Sequence, residues 1–185
     1  MNLNLTNQFL IAMPTLKDPN FYRTVTYLCV HNQDGAMGII INRPLSLNLG
    51  DVLKHMEMEV TDPVVNHMRV FQGGPVQPER GFVIHRPPGE WDAVLPVGGD
   101  IAVATSRDIL TAIAEGKGPA NITVALGYAG WGAGQLEKEM AENTWLSGPI
   151  DARIIFDVSY EERWQSATQL LGIDPNLLSG EAGHG

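Results

Sequence analysis

Cys29 and His31 are the pair that could carry nucleophilic chemistry in this sequence. On a strand, residues two apart share a face, and a nearby imidazolium lowers a thiol pKa. The competing reading is a small buried hydrophobe, since free cysteine is among the most buried residue types. The apolar, β-branched neighbourhood Thr24–Val30 favours the buried reading and leaves Cys29 as the one candidate reactive thiol. No G-x-S-x-G elbow is present. His31, His55, His67, His85 and His184 form neither H-E-x-x-H nor an i, i+4 pair. With a single cysteine they make no structural zinc set, so no metal is expected. Glu137 with Glu139, and Glu161 with Glu162, stand at predicted helix starts, where the helix dipole accounts for them without catalysis.

A second set of polar residues gathers at chain corners. Arg23 follows Asp18-Pro19-Asn20-Phe21-Tyr22, Asn42-Arg43-Pro44 ends a strand pattern, Gly73-Gly74-Pro75 is a bare-backbone turn, and Ser106-Arg107-Asp108 opens a helix pattern. An arginine offers a planar donor fork to an anion. Arg23, Asn42, Arg43, Gly73, Gly74, Ser106, Arg107 and Asp108 are therefore the candidate ligand-binding set. Against this stands a purely structural use: an Arg23–Asp18 ion pair, or Arg43 bonding loop carbonyls.

The glycine-rich stretch Gly127-Tyr128-Ala129-Gly130-Trp131-Gly132-Ala133-Gly134 lies between an apolar run, Ile122–Leu126, and a helical pattern from Gln135 to about Asn143. It reads as strand, glycine corner, helix. Its spacing is not that of a dinucleotide fingerprint, and no Lys-Ser or Lys-Thr follows to make a P-loop. Glu137 and Glu139 would repel a phosphate at that helix start. The glycines are better read as allowing close packing, with Tyr128 and Trp131 as core or pocket walls. No cofactor is expected.

The elements that must position these residues follow from periodicity. Phe9–Met13, Thr24–Val30, Met37–Ile41, Arg69–Gln72, Phe82–Ile84, Ile101–Ala104, Ile122–Leu126 and Arg153–Val158 read as strands. Asn32-Gln33-Asp34-Gly35 makes a hairpin of the second and third. Leu49, Val52, Leu53 and Met56 give one apolar helix face, ended by Asp62-Pro63. A helix opens at Thr105-Ser106 and stops at Gly116. Ser159-Tyr160-Glu161-Glu162 reads as a capping box, before a last helix burying Tyr160, Trp164, Ala167 and Leu171. The stretch around Trp91, to Gly99, reads as loop. Seven or eight strands and four helices fit one α+β domain.

Composition bounds the function. The chain has 185 residues, 44% hydrophobic and 18% charged, with a net charge of −9. That charge opposes non-specific attachment to nucleic acid or an anionic membrane. No run approaches the roughly 18 apolar residues of a membrane span. The start lacks the pattern of a signal peptide, and one cysteine suits a reducing compartment, so the expectation is a soluble cytoplasmic monomer.

Several motifs together resemble the YqgE/AlgH family. They are Met13-Pro14 through Asp18-Pro19-Asn20-Phe21-Tyr22-Arg23, Gly35-Ala36-Met37-Gly38 to Asn42-Arg43-Pro44, Gly73-Gly74-Pro75-Val76, Thr105-Ser106-Arg107-Asp108, Gly127 to Glu137, and Leu170-Leu171-Gly172-Ile173-Asp174. The match runs from about Phe9 to His184, with small departures at Val30 and Ser147–Ile150. The resemblance implies a branched mixed or antiparallel sheet, partly closed as a small barrel, with about four helices around it. It implies one domain over 1–175; the Gly-rich end of the sequence reads as a flexible tail over 176–185. The family has no established biochemical activity, and its name reflects a proposed role in regulating alginate genes. The expectation is a non-catalytic cytoplasmic protein that binds a small ligand or a protein partner and regulates gene expression. The alternative is an enzyme acting on a small anionic substrate, using Arg43 or Asp108 with His85 or Cys29. Direct DNA binding ranks third, because the chain is acidic and lacks a basic recognition helix.

Overall fold

The computed structural model describes residues 3–14, 16 and 18–173. Lys17, Asp174, His184 and the expected tail 176–185 lie outside them. The described residues form ten strands and six α-helices. The strands are β1 (Gln8–Ala12), β2 (Val25–Asn32), β3 (Gly35–Ile40), β4 (Pro44–Asn48), β5 (Arg69–Gln72), β6 (Val76–Arg86), β7 (Val94–Gly98), β8 (Ile101–Ala104), β9 (Asn121–Gly132) and β10 (Trp145–Pro149). The helices are α1 (Leu49–His55), α2 (Pro63–His67), α3 (Arg107–Ala114), α4 (Gln135–Ala141), α5 (Ala152–Phe156) and α6 (Arg163–Leu170), the last preceded by a 3-10 turn, Tyr160–Glu162.

The strands run β10-β1-β2-β3-β9-β6-β8-β7, with β4 and β5 branching off beside β9. The sheet curls into an antiparallel half-barrel; its one parallel ladder is β5 with β9. β9 makes the branch possible. Its first half pairs with β5 (Val70↔Val124) and its second half with β3 (Gly38↔Ala129), while β6 follows its other edge. The change of neighbour falls at Gly127, whose φ is +81°. A Cβ there would stand 2.5 Å from the Gly74 carbonyl, so only glycine lets three chain segments meet.

The concave face buries Phe9, Tyr27, Ile39, Phe82 and Ile84 against Trp164 and Ala167 of α6 and Ile154 and Ile155 of α5. The convex face buries Val70, Val83 and Val124 under Leu49 and Leu53 of α1 and Ile109 and Ile113 of α3. A third cluster joins Leu5, Leu28, Trp131, Leu136 and Trp145 beneath α4. The outermost ladder pairs β1 with β10, from Gln8↔Pro149 to Ala12↔Trp145. Trp164 Nε1 of α6 donates to the Ala12 carbonyl at 3.0 Å.

Several expectations are corrected. The glycine stretch is not a corner: β9 runs unbroken to Gly132, and the turn falls at Ala133-Gly134, where Gly134 takes a φ of +75°. The expected strand 153–158 is instead helix α5, which ends at Phe156, followed by a turn at Asp157 and a bend at Val158. The Asp151 carboxylate caps α5 by accepting from Arg153 N–H at 3.0 Å, and a short apolar run does not tell helix from strand by period alone. The stretch after Trp91 contains β7; its Pro96 reads as a breaker, yet proline is tolerated on an edge strand. Asp62-Pro63 opens α2, with Pro63 at its first position and Asp62 Oδ1 accepting from Val64 N–H at 2.9 Å. Phe82–Ile84 is the middle of the longer β6. The capping box at Ser159 does not form: that hydroxyl makes no cap bond, and a 3-10 turn precedes α6.

Candidate functional site

The curl brings β7 back towards the start of the chain. Asn7 packs where a Gly98 side chain would be and accepts the Tyr27 hydroxyl at 2.6 Å, so the seam is tight there. Towards the β2–β3 hairpin it opens into a groove of about 920 Å³. Val30 and Met37 form one wall, Val94 and Leu95 the other, and Phe82 and Tyr128 the floor. The two floor rings meet edge to face at 5.8 Å, and the Arg80 guanidinium stacks 5.4 Å over Phe82. Asp34 and Asp92 stand at the rim. An apolar floor with a few polar rim groups is the usual make-up of a binding site. Of its lining, the sequence flags Tyr128 and Trp131 as possible pocket walls. The rest come from strands far apart in sequence.

The candidate residues fall in three places. Asn42 sits between β3 and β4, its Oδ1 accepting from Val25 N–H at 2.9 Å and its Nδ2 donating to the Arg23 carbonyl at 2.9 Å. The Arg43 guanidinium donates to the carbonyls of Pro19 and Tyr22, and partial burial lowers its pKa. Arg23 lies 4.7 Å over the Trp164 ring and donates to the Tyr22 hydroxyl. Asp18 instead accepts from Asn20 N–H, and it makes no ion pair with Arg23 among the described residues. These three residues thus fold the segment 18–23 onto the sheet. Arg43→Ala is expected to lose about 1–2 kcal/mol of stability, because its bonds come from a charged donor at a part-exposed site. Urea unfolding reads this, and an unchanged midpoint would remove the clamp from the account.

Gly73 and Gly74 lie against β9. A Cβ at Gly73 would overlap the Gly127 carbonyl, and one at Gly74 the Tyr128 carbonyl and the Ala129 amide. Ser106 stands at the N-cap of α3, but its hydroxyl makes no cap bond to the helix. The Ser106 hydroxyl donates to Asp108 Oδ1 and accepts from Ala93 N–H at 3.0 Å. Asp108 also accepts from Asp92 N–H and Ile109 N–H, each at 2.9 Å. Arg107 Nη2 reaches the Met56 carbonyl at 2.8 Å, tying α3 to the end of α1.

The hydrogen bond from Ser106, then those from backbone amides, holds the Asp108 carboxyl below the usual range. Glu137 is lowered by its own amide and by His31, and Asp151 by Arg153. A carboxylate with a depressed folded pKa contributes stability present above its unfolded value, about 4, and lost as pH falls through the folded value. Asp108→Ala is therefore expected to be less stable than the parent at pH 7. Its deficit should shrink below about pH 4. Urea unfolding at pH 7 and pH 3 checks this, and a pH-independent deficit would contradict it.

Cys29 and His31 do not share a face. The β2–β3 register shifts between Leu28 and Val30, a bulge that reverses the alternation. Cys29 and Val30 both meet the concave core, while His31 Nδ1 accepts from Leu5 N–H at 3.0 Å and its Nε2 lies 3.3 Å from Glu137 Oε1. Burial pushes the Cys29 thiol pKa well up, away from thiolate. Maleimide is expected to leave Cys29 unlabelled until denaturant is added; rapid labelling of the folded chain would reverse this. His85 is fully buried with its ring nitrogens facing the Val83 and Pro88 carbonyls, and it meets neither Arg43 nor Asp108 through a hydrogen bond. Among the described residues no three His, Cys, Asp or Glu side chains gather as a metal site, and no helix is long and apolar enough to cross a membrane.

Two structural residues escape sequence reasoning. Glu139 accepts from the indoles of Trp131 and Trp145 at 3.1 and 2.9 Å and from Gln135. Arg163, buried with its pKa lowered to about 10, donates to the Ile41 and Val158 carbonyls and stacks 4.9 Å over Phe71.

A family model described as AlgH-like matches residues 9–176. A UPF0301 protein of Nitrosococcus oceani is 57% identical over 178 residues, 96% of this chain and 95% of the relative. One from Thioalkalivibrio sulfidiphilus is 56% identical over 181 residues, 98% of this chain and 97% of the relative. The solution structure of the AlgH protein from Pseudomonas aeruginosa superposes with a TM-score of 0.81 at 46% identity, covering 100% of this chain and 98% of that one. A crystal structure of a Corynebacterium diphtheriae protein shares the fold, with a TM-score of 0.77 at 17% identity over 96% of this chain and 93% of that one.

Proposed function

The chain belongs to the AlgH-like family, and on that premise we propose that it is a non-catalytic cytoplasmic protein that regulates by binding. It acts as a monomer, and its half-barrel groove takes a protein partner or ligand. The observation that carries this reading is the contrast between the groove and the candidate chemical groups. The groove is open and aromatic-floored. Cys29, His85, Asn42, Arg43 and Asp108 are engaged in holding the fold. Those groups, the candidates for chemistry, are therefore not free to meet a substrate.

Photo-crosslinking from the groove tests it. A benzophenone side chain replacing Leu95 is expected to trap one discrete species in cells. Met37→Glu, on the opposite wall, should abolish that adduct and move the melting temperature by no more than about 4 °C. An adduct that survives Met37→Glu, or turnover of any substrate by the parent chain, would overturn the proposal.

A further inference from the structure

Behind the sheet, on the face away from the groove, a half-open hollow runs in beside the convex core. A cavity of about 660 Å³ lies between α1, α3 and the strands β6, β8 and β9. Its walls are aliphatic: Val52 from α1, Leu110 from α3, and Val83, Val124 and Leu126 from the sheet. Protein interiors pack like organic crystals, with few voids larger than a water molecule. A hollow of this size instead falls in the range of small-molecule sites, about 300–1,000 Å³.

Gly81 points to an occupant. It lies inside β6 opposite Leu126 and lines the cavity. It has no left-handed φ. A Cβ built on it meets only Leu126 Cδ2, at an ordinary 3.9 Å. At Gly73, Gly74 and Gly127 backbone stands where a side chain would go; at Gly81 no backbone does. Gly81 borders the register irregularity between Val76 and Gly81, a place where strand glycines are common, and its missing side chain also leaves the hollow open.

The mouth adds a charged end. Arg107 lines it, its guanidinium held beside α1 by the bond to Met56, with the remaining N–H groups of its fork available. His55 lies on the same rim. Of the two acids there, Asp51 is engaged in capping α1 by accepting from Asn48 N–H at 2.8 Å, which leaves Glu79. We propose that this cavity binds a small amphipathic anion, its apolar body in the hollow against Gly81 and its acidic head on Arg107.

Two fluorescent probes of similar body separate the parts of the claim. 1-Anilinonaphthalene-8-sulfonate carries an anionic head; N-phenyl-1-naphthylamine does not. Both are expected to bind the folded full chain saturably at one site. Gly81→Leu fills the hollow and should weaken both by at least about tenfold. Leu110→Trp fills it from α3 and serves if the first variant misfolds. Arg107→Gln should weaken the sulfonate about tenfold, the loss of one charge-assisted bond, and the neutral probe less than about twofold. Glu79→Gln should tighten the sulfonate alone. The proposal falls if neither probe binds saturably. It falls also if cooperatively folding Gly81→Leu or Leu110→Trp protein binds both as the parent does, or if Arg107→Gln affects both probes equally.

Discussion

Gly74→Ala is expected to abolish cooperative folding, or to lower stability by more than about 3 kcal/mol. The added methyl would overlap the Tyr128 carbonyl and the Ala129 amide. Both are backbone atoms of β9, which is held on its two edges by β3 and β6. A flexible side chain could step aside; a strand bonded on both edges cannot, so the ladders around Val76↔Tyr128 must part. Gly116→Ala is the internal comparison. Its φ of +76° strains an alanine, but nothing lies within 4 Å of the added carbon, and the cost should be near 1 kcal/mol. Soluble yield and urea unfolding of the two variants decide it. A Gly74→Ala protein as stable as Gly116→Ala would show that the branch at β9 gives way more easily than its geometry says.

Glu139→Ala should cost about 2–5 kcal/mol, because it strands two indole donors at once. Trp131 and Trp145 are 6% and 3% exposed, and their rings pack edge to face at 5.9 Å. Both Nε1–H groups point to one carboxylate oxygen, Glu139 Oε1. An unpaired buried donor loses its water without a replacement. For a chain of this size the melting temperature should fall by about 5–15 °C. Glu139→Gln keeps an acceptor oxygen and should recover part of the loss. Tryptophan fluorescence reports the same site directly: the alanine variant should shift to the red before global unfolding. Equal stability of Glu139→Ala and the parent would mean water satisfies both indoles.

How legible each feature was depended on how local its cause is. The α3 start reads from Ser106-Arg107-Asp108, with Asp108 in the first turn although the Ser106 hydroxyl caps nothing, and the β2–β3 hairpin from Asn32-Gln33-Asp34-Gly35, because first-turn charge and turn chemistry act over a few residues. The Cys29–His31 relation failed for a definite reason. Strand alternation puts both on one face, and a bulge at Leu28/Val30 reverses it. The glycines of β9 were visible, but their partners were not. Gly127 needs Gly74, some fifty positions earlier, to explain it. Arg43 was seen, and one of its two readings, bonding loop carbonyls, is what the structure shows. The groove and the cavity had no local signature, since both arise from curl. Val30 and Leu95 face one another only because β7 returns to the seam, and Gly81 matters only because α1 and α3 leave space above it.

The β1–β10 ladder has a consequence for synthesis. Residues 8–12 are made first, yet their outer partner is residues 145–149, and the indole that closes on Ala12 belongs to residue 164. On a ribosome, β1 can zip to β2 early and then waits with its other edge bare until residues 145–149 have emerged. Non-local pairing of this kind is slow to form and exposes strand edges meanwhile. A stalled or truncated chain ending before residue 145 would carry that bare edge permanently. Emergence of residues 145–164, rather than of any earlier strand, is then the moment at which the half-barrel becomes complete.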